Sequence, residues 1–295
     1  MPILPSHYSP VHTGPDGRVT VELAADHPGV TDPAYVARRD HLAGLAKAWR
    51  PGQPVPAPAY RDQEHGVWQS VTASLEELHQ QHACQAFLAG KDLMRLPTDR
   101  VPQLPEVTAR LEPLTGFRYQ PVAGLAALRD FYGSFAHGVF WSTQYVRHPS
   151  VPLYTPEPDV IHEVIGHANQ LAGPGYAEMY RRFGAAVART RAEEALRFLS
   201  HVFWYSMEFG VLYEGRDVKA FGAGILSSAG ETAGFRDVEL RPVDFGAMGR
   251  AQYDIGHFQP VLYVWSSAAE IEDRLTGFLE SFDDTTPARL SPTTV

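Results

Sequence analysis

His162-Glu163-Val164-Ile165-Gly166-His167 and, some forty residues on, Glu208 within Phe203-Trp204-Tyr205-Ser206-Met207-Glu208-Phe209-Gly210 are the residues whose types and spacing point most directly to chemistry. Two imidazoles and one distant carboxylate can occupy one face of a six-coordinate metal and leave the opposite face open, as in non-haem iron(II) oxygenases. In the zinc hydrolase pattern the two His are four apart, share a helical face, and flank a Glu that acts as general base. Here they are five apart, and an ideal α-helix would splay them by roughly 140°. The helix is therefore expected to end or loosen near Gly166, glycine being a common terminator, so that His167 turns back toward a shared ion.

The elements that must position these groups can be read from their flanks. Thr155-Pro156-Glu157-Pro158-Asp159 offers an N-cap candidate, a proline tolerated at the first helical position and two acids suited to the helix dipole. A helix of about three turns would then present His162 and deliver His167 at its end. Glu208 lies inside Val202 to Tyr213, an apolar run expected to be a buried helix, where a carboxylate needs a cation or a hydrogen-bonded partner.

The rest of the chain reads as mainly α. Apolar residues recur at helical intervals over 33 to 49 and 64 to 90, with shorter helices over 104 to 114 and 122 to 132 and further helices around 176 to 198 and 198 to 213. Gly222 to Ser228 is rich in small residues and reads as a loop approaching a ligand closely. Ile271, Leu275, Phe278, Leu279 and Phe282 form one apolar stripe of a final helix that reads as core packing. Pro51 to Pro58 is a rigid connector inside the domain.

At 295 residues and 44% hydrophobic, the chain can bury a substantial core. A formal charge of −9 without a basic cluster argues against nucleic acid or an anionic membrane as partner. No apolar run is long enough to span a bilayer, and the N-terminus lacks the layout of a secretion signal. One Cys excludes an intramolecular disulfide framework, and a cytoplasmic location is expected.

Four longer strings extend this reading: Ser142-Thr143-Gln144-Tyr145-Val146-Arg147-His148, Tyr154 to Asp159, His162 to His167, and Lys219 to Ser228. In order and spacing they resemble the catalytic domain of the pterin-dependent aromatic amino acid hydroxylases, with fainter echoes extending the resemblance over residues 20 to 283. It implies a helical catalytic-domain fold with a few short strands, an N-terminal extension over 1–19, a catalytic iron- and pterin-binding domain over 20–283 and a flexible tail over 284–295. It also implies iron(II) held by His162, His167 and Glu208, with a tetrahydropterin and dioxygen as co-substrates for hydroxylation of an aromatic amino acid ring. The chemistry is consistent: neither an acid–base pair nor a nucleophile could oxygenate such a ring, whereas a redox metal can, the pterin contributing two of the four electrons that dioxygen requires.

The resemblance assigns Arg147 to the substrate carboxylate, for which a guanidinium offers a planar pair of donors. Tyr154, Thr155, Ser227 and Ser228 match positions at the same end of the substrate site, Pro158 and Trp204 match positions that sandwich the ring, and Phe209 and Gly224 join that set. The pterin falls to Val122, Gly124, Leu125, Phe131, Trp141, Glu163 and Phe203. Glu163 has two candidate roles, general base or hydrogen-bond partner of the pterin. Phe203 stands where the family commonly has Tyr, and Trp141 where its animal members have His. Trp204 and Ile255 resemble the phenylalanine-hydroxylating branch, so L-phenylalanine to L-tyrosine is the expected reaction. Tryptophan, tyrosine or meta-hydroxylation of phenylalanine are alternatives.

Animal members carry a regulatory domain and a tetramerising helix that have no counterpart here, so a monomer of bacterial type, linked functionally to a pterin-recycling enzyme, is expected. Two rival classes are a zinc-dependent hydrolase and a non-catalytic amino-acid-binding protein.

Overall fold

Asp32 accepts hydrogen bonds from the backbone N–H groups of Ala34 and Tyr35 and so starts α1 (Pro33–Ala48), with a proline at its first position. In this computed structural model, which describes residues 9–254 and 257–291, α1 packs on a hairpin of β1 (Val11–Thr13) and β2 (Val19–Val21). β1 and the first residue of β2 lie within the expected N-terminal extension, whose described part is thus packed on the body; the Ser9 hydroxyl and backbone N–H reach the Glu157 carboxylate at 2.9 and 3.0 Å.

The continuous helical pattern over 64 to 90 is two helices, α2 (Asp62–His82) and α3 (Gln85–Met94). Periodicity could not show the break between them, because its cause is distant: the Cys84 N–H donates to the Ala220 carbonyl at 2.8 Å. Next comes α4 (Leu104–Thr115), which stops at Gly116 with φ +75°, a left-handed conformation that suits glycine. β3 (Arg118–Pro121) pairs in parallel with β4 (Val139–Ser142), and between them the helix expected over 122 to 132 begins only at α5 (Leu128–Ser134). Val122 instead donates to the Ser142 carbonyl at 2.9 Å, which draws the chain along the sheet.

A short α6 (Asn169–Leu171) leads to α7 (Pro174–Arg189) and α8 (Glu193–Phe203), so the expected boundary at 198 moves to 190–192. The Asp284 carboxylate accepts from the N–H groups of Arg191 and Ala192, both at 2.9 Å, and holds that turn. Asp284 belongs to the stretch expected to be a flexible tail. Its described part is ordered by such contacts: Thr286 is buried, and the turn Thr286–Arg289 packs on α8.

The run over 202 to 213 is helical only to Glu208, after which β5 (Val211–Glu214) begins. β5 forms a hairpin with β6 (Asp217–Ala220) in a four-stranded sheet of order β6-β5-β8-β7, where β7 is Glu239–Pro242 and β8 is Val261–Trp265. Gly222 to Ser228, expected as a loop, contains the single helical turn α9 (Ala223–Leu226), stabilised by packing. Among the described residues no helix is long and apolar enough to cross a membrane.

The core runs from Trp68 and Phe87 through Phe135, Phe140, Tyr180 and Phe183 to Trp265. Its aromatic centre lies directly under one imidazole of the metal site, with the Phe140 and His167 ring centroids 4.7 Å apart.

Candidate metal centre

His162 and His167 lie on one wide helical turn, His162–Ala168, whose hydrogen bonds run i→i+5. Residues five apart stack in such a turn, so the backbone does not end at Gly166 as expected but widens and continues into α6. The start of the helix also differs. Asp159, rather than Thr155, accepts the His162 N–H at 3.1 Å, while the Thr155 hydroxyl turns to the Glu157 carbonyl. Glu208 ends a second i→i+5 segment, Trp204–Glu208. Two widened turns thus present all three groups.

Close backbone packing fixes the approach of these turns. A side chain at Gly166 would meet the Ala223 carbonyl at 2.6 Å, and one at Gly222 would meet the Glu208 carbonyl at 2.3 Å. Only glycine allows α9 to lie against both segments.

The His162 and His167 Nε2 atoms are 3.1 Å apart, and Glu208 oxygens lie 3.7 and 3.1 Å from them. The other ring nitrogens are held from behind. Tyr180 donates its hydroxyl hydrogen to Gln170 Oε1, so at 2.7 Å it accepts from His167 Nδ1. Ser227 Oγ donates to the Gly224 carbonyl at 3.3 Å and accepts from His162 Nδ1 at 2.8 Å. Both Nε2 atoms therefore present lone pairs, and with a carboxylate they converge on one point. Such a donor set is unfavourable without a cation and fits iron(II). Gln170 is itself anchored, its Nε2 donating to the Phe221 and Met207 carbonyls at 2.9 and 3.1 Å.

Glu163 is a rival third ligand, since its carboxylate also lies within 4.8 Å of the two imidazole donors. Electrostatics separates the two acids. Burial would raise Glu208, but the imidazoles in their charged forms, His167 by charge and hydrogen bond and His162 by charge, hold the carboxyl low, and with both imidazoles neutral a bound cation takes over that part. Glu163 is pushed well above the carboxylate range by burial and by the charges of Glu208 and Asp159. Glu208 is the anionic ligand candidate. Burial and the neighbouring carboxylates favour the protonated form of Glu163, and a cation at the imidazoles would oppose them. Burial also holds His162 down to about 4, in the neutral form that a metal needs.

These groups open into a cleft of about 620 Å³, a size that suits a small-molecule site. Every site residue named from the sequence lines it except Phe203. Phe203 packs into the aromatic core against Tyr132 at 4.9 Å and Phe183 at 5.1 Å, because its position on α8 faces α5 and α7. Ile255 lies outside the described residues. Trp204 stacks on Tyr253 at 4.1 Å and leans on Phe209 at 4.6 Å, so Tyr253 covers part of the surface that the sequence assigned to a substrate ring.

Arg147 is buried, with Nε and Nη2 donating to Asp159 at 2.9 and 2.7 Å and its backbone N–H to the same carboxylate at 2.8 Å. Burial would raise Asp159, but Arg147 outweighs it and holds the carboxyl low. Three of the five guanidinium hydrogens, two on Nη1 and one on Nη2, remain for the cleft. Behind them the Arg39–Glu157 ion pair, at 2.7 Å, braces residues 154–159, with the Arg39 guanidinium 3.4 Å over the Tyr145 ring.

Tyr180, Gln170, Asp159 as the partner of Arg147, and the Arg39–Glu157 pair were not legible in advance. Tyr180 sits on a helix rich in apolar residues, where a tyrosine reads as core. Replacing Tyr180 with Phe should lower metal affinity by about 10- to 100-fold, the usual cost of losing a hydrogen bond behind a ligating imidazole. Cobalt(II) titration of the metal-free variant measures it; an unchanged affinity would show that His167 needs no orienting partner.

The sequence pattern of the biopterin-dependent aromatic amino acid hydroxylases matches residues 17–295. Phenylalanine 3-hydroxylase of Streptomyces coeruleorubidus is 40% identical over 91% of this chain and 96% of its own length. The chloroplastic phenylalanine 4-monooxygenase of Chlamydomonas reinhardtii is 42% identical over 92% of this chain and 76% of its length. Among solved structures, the phenylalanine hydroxylase of Legionella pneumophila superposes with TM-score 0.72 at 31% identity, covering 79% of this chain and 91% of that one. The Chromobacterium violaceum enzyme with bound iron(III) and 7,8-dihydrobiopterin gives 0.72 at 28%, covering 80% and 85%.

Proposed function

The chain belongs to the biopterin-dependent aromatic amino acid hydroxylase family, and from that premise we propose that it converts L-phenylalanine to L-tyrosine at an iron(II) held by His162, His167 and Glu208. The observation that carries the proposal is the convergence of two Nδ1-locked imidazoles and an ionised carboxylate at the floor of a cleft that also holds Arg147. Bound there, iron, tetrahydropterin and dioxygen supply the oxidising power: one oxygen atom goes to the ring and the other leaves at the level of water, with two electrons drawn from the pterin.

The protein's own part is placement. The free hydrogens of Arg147 receive the substrate carboxylate end-on, while Asp159 keeps the guanidinium in plane. Pro158, Trp204 and Phe209 offer the apolar walls for the ring, with Tyr154, Thr155, Gly224, Ser227 and Ser228 around its polar end. Ser227 has a second task in holding His162. Phe131, Trp141, Val122, Gly124 and Leu125 also line the cleft, and an aromatic face with backbone groups near it suits a flat bicyclic pterin. Glu163, in the protonated form that burial favours, offers that ring a hydrogen bond without a buried charge.

A second reading keeps the chemistry and moves the hydroxyl to the meta carbon. It is favoured by the likeness to the Streptomyces phenylalanine 3-hydroxylase, which extends over 96% of that enzyme. Chromatography of the products from phenylalanine, tyrosine and tryptophan, with iron and tetrahydropterin supplied, tests both. L-tyrosine as the main product supports the first, meta-tyrosine the second, and no pterin-dependent product rejects the pair. Each turnover oxidises one pterin, so sustained activity requires a separate pterin-recycling reductase. We further place the enzyme in the cytoplasm as a monomer, which sedimentation and fractionation test.

Trp141 lines the same cleft as Phe131 and the two imidazoles, and a side chain of that bulk takes up space there that a smaller residue would leave to an aromatic ring. A pocket rejects an oversized ring more strongly than it rewards a fitting one. Trp141→His is therefore expected to retain phenylalanine hydroxylation, to raise the relative kcat/KM for tryptophan by about 10-fold or more, and to change the product-to-pterin ratio. If neither ratio moves, Trp141 is packing alone.

A further inference from the structure

Gln170 lies three residues beyond His167, on α6, and none of it is exposed. Its Nε2 donates to two backbone carbonyls, that of Met207 at 3.1 Å and that of Phe221 at 2.9 Å. Met207 precedes Glu208 in the second widened turn, and Phe221 precedes Gly222, whose backbone lies against the Glu208 carbonyl. One amide therefore joins the helix that carries both imidazoles to the two segments that fix the carboxylate.

The same contacts decide which way the amide faces. A carbonyl can only accept, so the end between Met207 and Phe221 is the NH2 and the other end is the oxygen. Tyr180 reaches that oxygen with its single hydroxyl hydrogen, which leaves its own oxygen to accept from His167 Nδ1 at 2.7 Å. The hydrogen bonds thus run in one direction, from His167 through Tyr180 and Gln170 to the backbone beside Glu208. A hydroxyl that gives its hydrogen away accepts more strongly, because successive bonds polarise one another. A stronger acceptor behind Nδ1 makes the imidazole a better electron donor through Nε2. Of the uncharged side chains of this length, only glutamine offers two hydrogens at one end and an acceptor at the other.

We propose that Gln170 is a positioning residue for the iron: it fixes Tyr180 as an acceptor, through it strengthens His167 as a ligand, and ties the Glu208 segment to the same helix. This role rests on His167 being an iron ligand, and the two fail differently. A wild-type chain that takes up no iron refutes the ligand set, whereas iron bound with an unaltered potential in the variant refutes only the role of Gln170.

The test uses the full chain loaded with iron, its iron(III)/iron(II) potential read by a redox titration followed by electron paramagnetic resonance, with cobalt(II) affinity measured in parallel. Iron(III), the more charged state, gains more from a donating ligand, so a weakened acceptor behind His167 raises the potential. Gln170→Met keeps the length, removes both donors and leaves only a thioether toward Tyr180. It is expected to shift the potential upward and to weaken cobalt(II) by about 10-fold or more. Gln170→Glu keeps an oxygen toward Tyr180, ionised or not, and is expected to hold the potential at or below that of the wild type. Tyr180→Phe should shift it upward, and adding Gln170→Met to Tyr180→Phe should move it little further, because both act through one hydroxyl. A potential unmoved or lowered by Gln170→Met, an upward shift as large in Gln170→Glu, or shifts that add in the double variant overturn the proposal. Should Gln170→Met not fold, an upward shift in Gln170→Glu, or none in Tyr180→Phe, overturns it by itself.

Discussion

Glu208→Gln should abolish iron retention and turnover while leaving the fold in place. The side chain keeps its shape and its position at the end of the widened turn Trp204–Glu208, but a neutral amide replaces the anion that faces the two imidazole Nε2 atoms at 3.1 and 3.7 Å. Losing a group that merely orients a ligand costs about 10- to 100-fold in metal affinity, and losing a charged ligand should cost more. The measurement is iron per chain after desalting, with turnover and thermal midpoint alongside. The paired variant Glu163→Gln separates the two acids. It is expected to keep its iron, because burial and the neighbouring carboxylates already disfavour an anion at Glu163. Iron retained by Glu208→Gln and lost by Glu163→Gln would exchange their roles.

Arg147→Lys should raise the KM for the amino acid by about 10- to 150-fold, the equivalent of one charge-assisted hydrogen bond at 1.5–3 kcal/mol, while the pterin KM changes little. A lysine keeps the charge but has a single nitrogen, and the structure asks Arg147 for two tasks: two side-chain bonds to buried Asp159 and a remaining edge toward the cleft. Lysine has three donors on one point and no planar pair of edges, so it cannot offer two parallel bonds to Asp159 and a second edge to the substrate. Asp159→Asn is the complementary variant. It removes the anion that keeps the guanidinium in plane and replaces one of its acceptor oxygens by a donor, while the remaining oxygen can still cap the His162 turn, and breaking a buried pair of this kind costs about 3–5 kcal/mol. Steady-state kinetics with each substrate varied, together with thermal melts, distinguishes the effects. Equal weakening toward pterin and amino acid would mean that Arg147 supports the whole cleft rather than the amino acid end.

Much of the cleft was legible because its parts are local strings. His162 to His167, Tyr154 to Asp159 and Gly222 to Ser228 each keep several cleft residues within one turn, so residue type and order survive as pattern, and all but one of the assigned positions line a single cavity. Phe203 was misplaced for the converse reason. It neighbours Trp204 in sequence, but on α8 successive residues point about 100° apart, and the neighbour that faces the cleft is Trp204. The helix break at Ala83–Cys84 and the turn at residues 190–192 were invisible because Ala220 and Asp284, far away in sequence, make them.

By itself, the sequence determined the mainly helical character, the two imidazoles with a buried carboxylate, the family and the residues that face the cleft, since these depend on periodicity, burial cost and contiguous strings. Only the tertiary structure decided how a five-residue spacing brings two imidazoles together. The answer is a widened i→i+5 turn, which no propensity favours and which packing of α9 against Gly166 helps to hold. It also decided which of two acids is charged, and which nitrogen of each imidazole is free. Those properties arise from burial and from partners such as Tyr180 and Ser227, which reach the site from distant segments and therefore leave no spacing to read.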